Sequence, residues 1–234
     1  MKILGIESSG LTASIAVWED GVIIAEYTTN FKKTHSETLL PMIADLMDRI
    51  GMDVNDMDYI AISEGPGSFT GLRIGAATAK GLGLATGKEL VSVPTVKALA
   101  YNLYNTRGVI CPIMDAKREQ VYTGIYEYAG DELKTILETD AMGITEVIDK
   151  LNNIGKEVIF LGDGVPVYRE IIKDSIKVQY SYAPANMLRQ SAAAVCVLAA
   201  KMIASGETVT ADMMRPEYLR LSQAERERME REAH

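Results

Sequence analysis

Apolar residues recur along this chain with two different spacings, and the two spacings alternate. Short runs rich in β-branched residues predict strands, whereas apolar residues at i, i+3, i+4 and i+7 predict amphipathic helices. The first half therefore reads as three strands followed by alternating helices and strands. The predicted ranges are strands 2–7, 13–18 and 22–28, helix 41–50, strand 58–63, helix 72–86, strand 90–93 and helix 96–104.

The start of the first helix has two interpretations. Residues 34–37 read Thr-His-Ser-Glu, which is typical of a capping box. Pro41 conflicts with so early a start, because proline is favoured in the first turn of a helix and disrupts its interior. The helix either begins at Pro41 or is kinked there.

The same order of elements returns in the second half, without sequence similarity between the halves. Three strands followed by alternating helices and strands form a mixed sheet flanked by helices, so we predict an α/β protein of two such lobes. The lobes are assigned to residues 1–106 and 107–218, and a polar tail follows at 219–234. The predicted elements of the second lobe are strands 109–115, 121–127 and 133–138, helix 144–153, strand 158–161, helix 168–172, strand 176–180 and helix 187–204.

A glycine-rich junction lies at residues 65–75, which read GPGSFTGLRIG and join a strand to a helix. Ser68 or Thr70 is expected to cap this helix. Within it, small residues recur every four positions, so they form a stripe along one face. A glycine inside a helix costs about 1 kcal/mol relative to alanine, which predicts that another backbone packs unusually close to this face. The stripe consists of Gly71, Gly75, Ala79 and Gly83.

Composition narrows the function classes. The 234 residues include 24 basic and 32 acidic side chains, a net charge of −8, which argues against a protein that binds nucleic acid by itself. Cys111 and Cys196 lie in apolar runs and are expected to be buried thiols. No apolar run approaches the ~20 residues that span a membrane, and the first residues do not resemble a signal peptide. We therefore expect a soluble, cytoplasmic protein.

Seven motifs spread over the chain resemble those of one protein family. They are ILGIESSGLTASIAV at 3–17, THSETLLPMI at 34–43, EGPGSFTGLRIGAATAKGL at 64–82, SVPTVKALA at 92–100, MDAKREQVYTGIY at 114–126, FLGDGVPVY at 160–168 and RPEYLR at 215–220. Together they resemble the bacterial TsaB family, formerly YeaZ, of tRNA threonylcarbamoyladenosine biosynthesis proteins. That family is a non-catalytic branch of the actin, hexokinase and Hsp70 superfamily. The resemblance therefore implies that both lobes are actin-like, that is, ribonuclease H-like.

The resemblance also implies a helper subunit rather than an enzyme. The family binds and activates a catalytic paralogue, TsaD, which transfers a threonylcarbamoyl group to the adenosine beside the anticodon of tRNA. An ATPase, TsaE, joins that assembly, and tRNA would be reached only through the complex. Family members use the first-lobe helices, here 41–50 and 72–86, to bind TsaD or to form a homodimer. The residues that we assign to this partner surface are Met42, Leu46, Met47, Gly71, Leu72, Gly75, Ala79 and Gly83.

The first loop departs from the family pattern and raises the question of catalysis. It reads Glu7-Ser8-Ser9-Gly10 where family members usually have Asp-Thr-Ser. In the superfamily this loop holds nucleotide phosphates. We interpret it here as a vestigial phosphate loop, since the matching second hairpin at 115–119 contains no glycine. We expect no firmly bound cofactor, and binding of ATP or ADP at the assembled complex stays open.

Two other functions stay open at this point. One is an actin-like ATPase or small-molecule kinase that acts on its own through residues 7–10. The other is a self-associating regulator without a role in tRNA modification. Both predict that the isolated chain, rather than its complex with a paralogue, is the functional unit.

A histidine-based metal site is not expected. The two metal-binding histidines of the catalytic paralogue, spaced i, i+4, match Thr95 and Leu99 here, and the only histidines are His35 and His234. This disfavours the peptidase interpretation of the family, which depended on the metal. An all-carboxylate site stays open, but we predict no catalytic and no metal-binding residues.

Three conspicuous polar residues have structural interpretations. Glu7 is expected to hydrogen-bond the loop at residues 8–9, and His35 to help cap or pack the first helix. Arg73, one turn into the glycine-striped helix, is expected to reach Glu64 or a carboxylate of a partner.

Overall fold

The first lobe of the computed structural model, which describes residues 1–31 and 34–219, is a five-stranded mixed sheet with helices packed against it. Its strands are β1 (Lys2–Glu7), β2 (Ala13–Glu19), β3 (Val22–Thr29), β4 (Tyr59–Gly65) and β5 (Glu89–Pro94), and its helices are α1 (His35–Ile50) and α2 (Phe69–Thr86). Helix α3 (Thr95–Ala100) follows β5 and shares a buried core with Ile110 and Tyr126 of the second half. A single 3-10 turn, Val54–Asp56, precedes β4. The strand order is β3-β2-β1-β4-β5, where β1 pairs antiparallel with β2 and parallel with β4.

The second half repeats this arrangement and confirms the predicted α/β fold of two lobes. Its elements are β6 (Val109–Asp115), β7 (Gln120–Ala129), β8 (Glu132–Gly143), α4 (Ile144–Ile154), β9 (Val158–Leu161), α5 (Val165–Ser175), β10 (Tyr180–Tyr182) and α6 (Ala192–Ala204). The strand order is β10-β9-β6-β7-β8. As in the first sheet, the first strand of the lobe pairs antiparallel with the next strand and parallel with the fourth.

Some predicted element boundaries are wrong for local reasons. Helix α1 begins at His35 and carries Pro41 in its interior, and the side chain of Thr34 makes no capping hydrogen bond, so the capping box does not form. Helix α6 begins five residues later than predicted because the Ser191 side chain caps it, accepting from the backbone N–H of Ala193 and Ala194. The last strand lies at Tyr180–Tyr182, where it pairs with β9, instead of 176–180.

The assignment of residues 107–218 to the second lobe also needs correction, because α6 packs on the first sheet. Its buried side chains share a core with residues of β1, β2, β4 and β5. The approach is close at one point: a methyl group on Gly5 would lie 2.5 Å from the Sγ of Cys196. The side chains in this core include Ile3, Ala16, Ala61, Val91, Ala192, Val195, Cys196 and Ala199.

Residues 209–218, called the C-terminal strap from here on, also belong to the first lobe. The backbones of Leu90 and Val209 exchange hydrogen bonds of 2.8 and 2.9 Å, and the side chain of Met214 is buried in the first-lobe core. The polar tail predicted for 219–234 lies, from residue 220 onward, outside the described residues. No helix within residues 1–31 and 34–219 is long and apolar enough to cross a membrane.

Candidate functional site

The glycine stripe of α2 packs against the first loop of the chain itself. The Ser8 hydroxyl donates to the Gly71 carbonyl oxygen at 2.9 Å, and the Ser68 N–H donates to the Ser9 carbonyl oxygen at 2.6 Å. A methyl group on Gly71 would overlap the Ser8 carbonyl oxygen, and one on Gly75 would overlap the Ser8 hydroxyl. The close approach that the glycines predicted is therefore present, but it lies inside the chain.

The residues assigned to the partner surface lie mostly in the interior of the isolated chain. Seven of the eight are buried within the described chain, and Met42 is half-buried. Gly83 faces Leu90 of β5 and Ala211 of the C-terminal strap. The seven buried residues therefore contact neighbours within the same molecule.

The outward face of α2 is different in character. Its residues, counted with Arg73, follow one another at intervals of three or four positions from 70 to 84. They therefore align along the helix on the side opposite the sheet. Leu84 is 59% exposed, and a methyl group on Gly81 would have no neighbour within 4 Å. On the adjacent α1, Leu40 is 54% exposed. The face, called the outer face of α2 below, comprises Thr70, Ala77, Gly81 and Leu84, with Arg73 at its edge.

The buried side chain of Glu7 holds the first loop in place. Its buried carboxylate accepts hydrogen bonds from the N–H of Ser9 at 2.6 Å and from the Ser9 hydroxyl at 2.5 Å, and a third from the Ser63 hydroxyl. Burial raises the pKa of Glu7, and the hydrogen bonds from Ser63 and Ser9 oppose that rise. The expected bond between Glu7 and this loop is confirmed, and His35 supports the loop through a 2.8 Å bond from its Nε2 to the Gly10 carbonyl oxygen.

The polar groups of the predicted phosphate loop are thus largely used within the chain. The side chains of Glu7, Ser8 and Ser9 are all buried, and the Ser9 N–H and both hydroxyls donate to protein acceptors. A loop that holds phosphate needs N–H and hydroxyl donors that face the ligand. Gly10 is the least buried of the four residues.

The hairpin between β6 and β7 lies at the equivalent position of the second lobe and carries charged residues. Lys117, Arg118 and Glu119 all have positive φ, between 57° and 64°, a conformation that favours glycine. Lys117 forms an ion pair with Asp115, whose carboxylate also accepts a 2.9 Å bond from the Tyr168 hydroxyl. The turn is therefore held by the ion pair within it and by the Tyr168 hydroxyl of α5.

The positions that match the paralogue's histidines belong to the protein interior. Thr95 is fully buried and its hydroxyl accepts the Gly65 N–H at 3.2 Å, while Leu99 lies in an apolar core. In the described part of the chain, no three His, Cys, Asp or Glu side chains come close enough together to hold a metal ion.

Sequence reasoning missed one titratable residue, Glu64, at the carboxyl end of β4. Burial, and after it the charge of Glu217, raise the pKa of Glu64 to about 7. The Glu217 N–H donates to the Glu64 carbonyl oxygen at 2.7 Å, so the C-terminal strap lies directly over this residue. The position of Glu64 at a strand end could have marked it as a candidate site residue. Its neighbour Glu217 could not be predicted, because the fold brings the two together.

Comparison with known proteins places the chain in a family. A protein-family model described as "TsaD: tRNA N6-adenosine threonylcarbamoyltransferase" matches residues 22–228. The "tRNA threonylcarbamoyladenosine biosynthesis protein TsaB" of Bacillus subtilis (strain 168) is 31% identical over 225 residues, which cover 96% of this chain and 96% of that protein. The chain belongs to the TsaB family.

Two further TsaB-type proteins agree with this result. The TsaB protein of Escherichia coli (strain K12) is 28% identical over 94% of this chain and 95% of its own length. The solved structure "YeaZ from Pseudomonas aeruginosa" has a TM-score of 0.80 and 26% sequence identity, covering 93% of this chain and 99% of that one. The resemblance inferred from the seven motifs is confirmed.

Proposed function

We propose that this protein is a non-catalytic subunit required for the threonylcarbamoylation of tRNA beside the anticodon, and that it binds and activates a TsaD-like catalytic paralogue. Membership of the TsaB family supports a role in this biosynthesis. The observation that carries the non-catalytic part is the first loop, whose Ser8 and Ser9 hydroxyls donate to Gly71 and Glu7 instead of facing a ligand.

The partner surface in this proposal is the outer face of α2 together with the exposed side of α1. Leu84 and Leu40 supply exposed apolar area, and Gly81 allows a partner backbone to approach closely. On the opposite side of α2, Gly71 and Gly75 pack against Ser8 and so fix the helix to the first loop. The same surface can pair two copies of this chain when the paralogue is absent.

The other components join the complex of this protein with its TsaD-like paralogue. A TsaE-like ATPase joins the assembly, and ATP or ADP binds there rather than to the isolated chain. The net charge of −8 leaves tRNA binding to basic surfaces of the partner.

Reconstitution tests the function. Threonylcarbamoylation of tRNA is measured with the purified catalytic paralogue and ATPase of the same genome, with and without this chain. We expect modification only in the complete mixture. Modification without the chain, or ATP turnover by the chain alone, would overturn the proposal.

A matched pair of variants tests the surface. Leu84→Glu places a charge on the outer face of α2, and Val167→Glu does so on α5 of the second lobe, where Val167 is 57% exposed against 59% for Leu84. We expect Leu84→Glu to abolish complex formation in size-exclusion chromatography while Val167→Glu leaves it unchanged. Equal binding by both variants would exclude this surface.

A further inference from the structure

Arg73 is held in one orientation by two aromatic rings from different parts of the chain. Its guanidinium carbon lies 3.9 Å from the ring centre of Phe69, one helical turn earlier, and 6.0 Å from that of Tyr218 in the C-terminal strap. The two rings also contact each other, with centres 4.7 Å apart. The Nε of Arg73 donates to the Tyr218 hydroxyl at 3.2 Å.

The C-terminal strap fixes Tyr218 through the backbone. Glu217, the preceding residue, donates its N–H to the Glu64 carbonyl oxygen, and Lys80 of α2 donates to the Met214 carbonyl oxygen at 3.3 Å. The ring of Tyr218 is therefore positioned by contacts of the C-terminal strap with β4 and with α2. A guanidinium stacked in this way loses less side-chain entropy on binding than a free one.

The outward end of this guanidinium has no anionic partner within residues 1–31 and 34–219. Its Nε is used by Tyr218, no carboxylate lies within 4.0 Å of Arg73, and the expected contact with Glu64 is not formed. Four N–H groups on the two Nη atoms remain in the planar fork that matches a carboxylate.

The surroundings of Arg73 favour a protein partner with a carboxylate. The other members of the outer face, Thr70, Ala77, Gly81 and Leu84, are uncharged. An arginine at the edge of an apolar patch is desolvated when a partner covers the patch, and an unpaired guanidinium would then be costly. The partner therefore has to bring the negative charge.

We propose that Arg73 is the anchor of the partner surface, where it binds an Asp or Glu side chain of the TsaD-like subunit through both Nη atoms, and that Tyr218 is the positioning residue that orients it. This inference rests on the proposed function, because it names the charged contact within the same interface. It assigns the C-terminal strap a role in recognition as well as in packing.

Affinity measurements with the purified catalytic paralogue, without tRNA, test the anchor. Arg73→Met keeps the length of the side chain but removes the fork, Arg73→Lys keeps only the charge, and Tyr218→Leu removes the positioning ring. We expect Arg73→Met to weaken binding about 10- to 100-fold, Arg73→Lys nearly as much, and Tyr218→Leu about 3- to 10-fold. Circular dichroism melts show whether each variant is folded.

The control is Arg169→Met in the second lobe. Arg169 also stacks on a tyrosine, with its guanidinium carbon 4.6 Å from the ring centre of Tyr182, so the substitution removes a similar contact far from the proposed surface. We expect unchanged affinity for this variant. An equal loss for Arg169→Met would show that the effect is not specific to the anchor and would overturn the proposal.

Substitution of the partner's surface carboxylates, one at a time, identifies the Asp or Glu that binds Arg73. One Asp→Asn or Glu→Gln change in the paralogue should weaken binding to the unmodified chain and have no further effect on Arg73→Met. If no carboxylate shows this coupling, or if Arg73→Met matters only when tRNA is present, the carboxylate assignment is wrong. If Arg73→Met disrupts only self-association in sedimentation velocity, the heterologous partner is wrong.

The two proposals fail in different ways. Normal binding by Arg73→Met together with lost binding by Leu84→Glu would remove the anchor but keep the surface. Normal binding by both variants would remove the surface itself. Failure of the reconstituted modification reaction, with binding intact, would remove the function but keep both contacts.

Discussion

The inner and outer sides of α2 both carry small residues, but for different physical reasons. On the inner side, the Ser8 carbonyl and hydroxyl fill the space that a methyl group on Gly71 or Gly75 would occupy. On the outer side, Gly81 has nothing within 4 Å. The inner glycines are required by neighbouring atoms of the same chain, a backbone carbonyl at Gly71 and a side-chain hydroxyl at Gly75, whereas the outer one is an open position at a surface.

A stripe of small residues therefore indicates that another part of a protein packs closely, but does not show whether that part belongs to the same chain or to a partner. The stripe was assigned to a partner surface, and the first loop of the same chain occupies it instead. The face that we propose for the partner is the exposed side of the same helix. Substitutions on the two sides should therefore separate folding from binding.

Gly71→Ala should have the largest effect on stability. The added methyl group overlaps the Ser8 carbonyl oxygen, so α2 or the loop must shift, at an expected cost of about 3 kcal/mol. Urea denaturation measures the free energy of unfolding. A stability equal to that of the unmodified chain would mean that the loop moves away freely, and the inner and outer sides would no longer differ in kind.

Glu7→Ala tests the support beneath the loop. The substitution leaves the Ser9 N–H and the Ser9 and Ser63 hydroxyls without their buried acceptor, so we expect a loss of about 2 kcal/mol in unfolding free energy. Glu132→Ala, at an exposed position, is the control and should be neutral. If Glu7→Ala keeps full stability but abolishes an ATP turnover of the isolated chain, the stand-alone ATPase becomes the better interpretation.

Glu64→Gln examines the flank of α2 that the C-terminal strap covers. The folded state raises the pKa of Glu64 from its ordinary 4.5 to about 7, so the protonated form is favoured in the fold. Stability from this site is complete below the ordinary pKa and is lost as the pH rises through 7. Because the side chain is partly exposed, we expect Glu64→Gln to gain only about 1 kcal/mol over the unmodified chain at pH 8 and almost nothing at pH 4.

Glu217→Gln distinguishes the two causes of that shift. Burial is the larger cause and the Glu217 charge the smaller, so Glu217→Gln should recover less of the lost stability at pH 8 than Glu64→Gln. Equal gains from the two substitutions would show that repulsion dominates. A gain that does not depend on pH would contradict the titration of Glu64.

Gly81→Ala should have a small effect, a gain in stability that does not depend on pH. The outer position has space for a methyl group, and replacing a helical glycine there should stabilise the fold by about 0.5 to 1 kcal/mol. Thermal unfolding measures the gain. A loss of stability would mean that the outer side of α2 is also constrained by the fold.

Most of the fold could be predicted from the hydrophobic pattern within each strand and helix. Hydrophobic spacing located every strand of the first sheet, and the repeated order of elements indicated two lobes. Boundaries failed where one side chain decided them, as at Ser191, which caps α6 and delays its start. The site was predicted in part: Glu7 bonds the first loop as expected, but Arg73 pairs with Tyr218 rather than with Glu64.

The alternation of strands and helices, the family and a close backbone approach along α2 could all be predicted from the sequence, because periodicity, motifs and glycine spacing are local properties of a chain. The folded arrangement was needed to show that α6 and the C-terminal strap pack on the first lobe, that Ser8 packs against Gly71 and Gly75, and that Tyr218 contacts Arg73. These contacts join residues far apart in sequence, and their partners are selected by how the packed elements fit together in space.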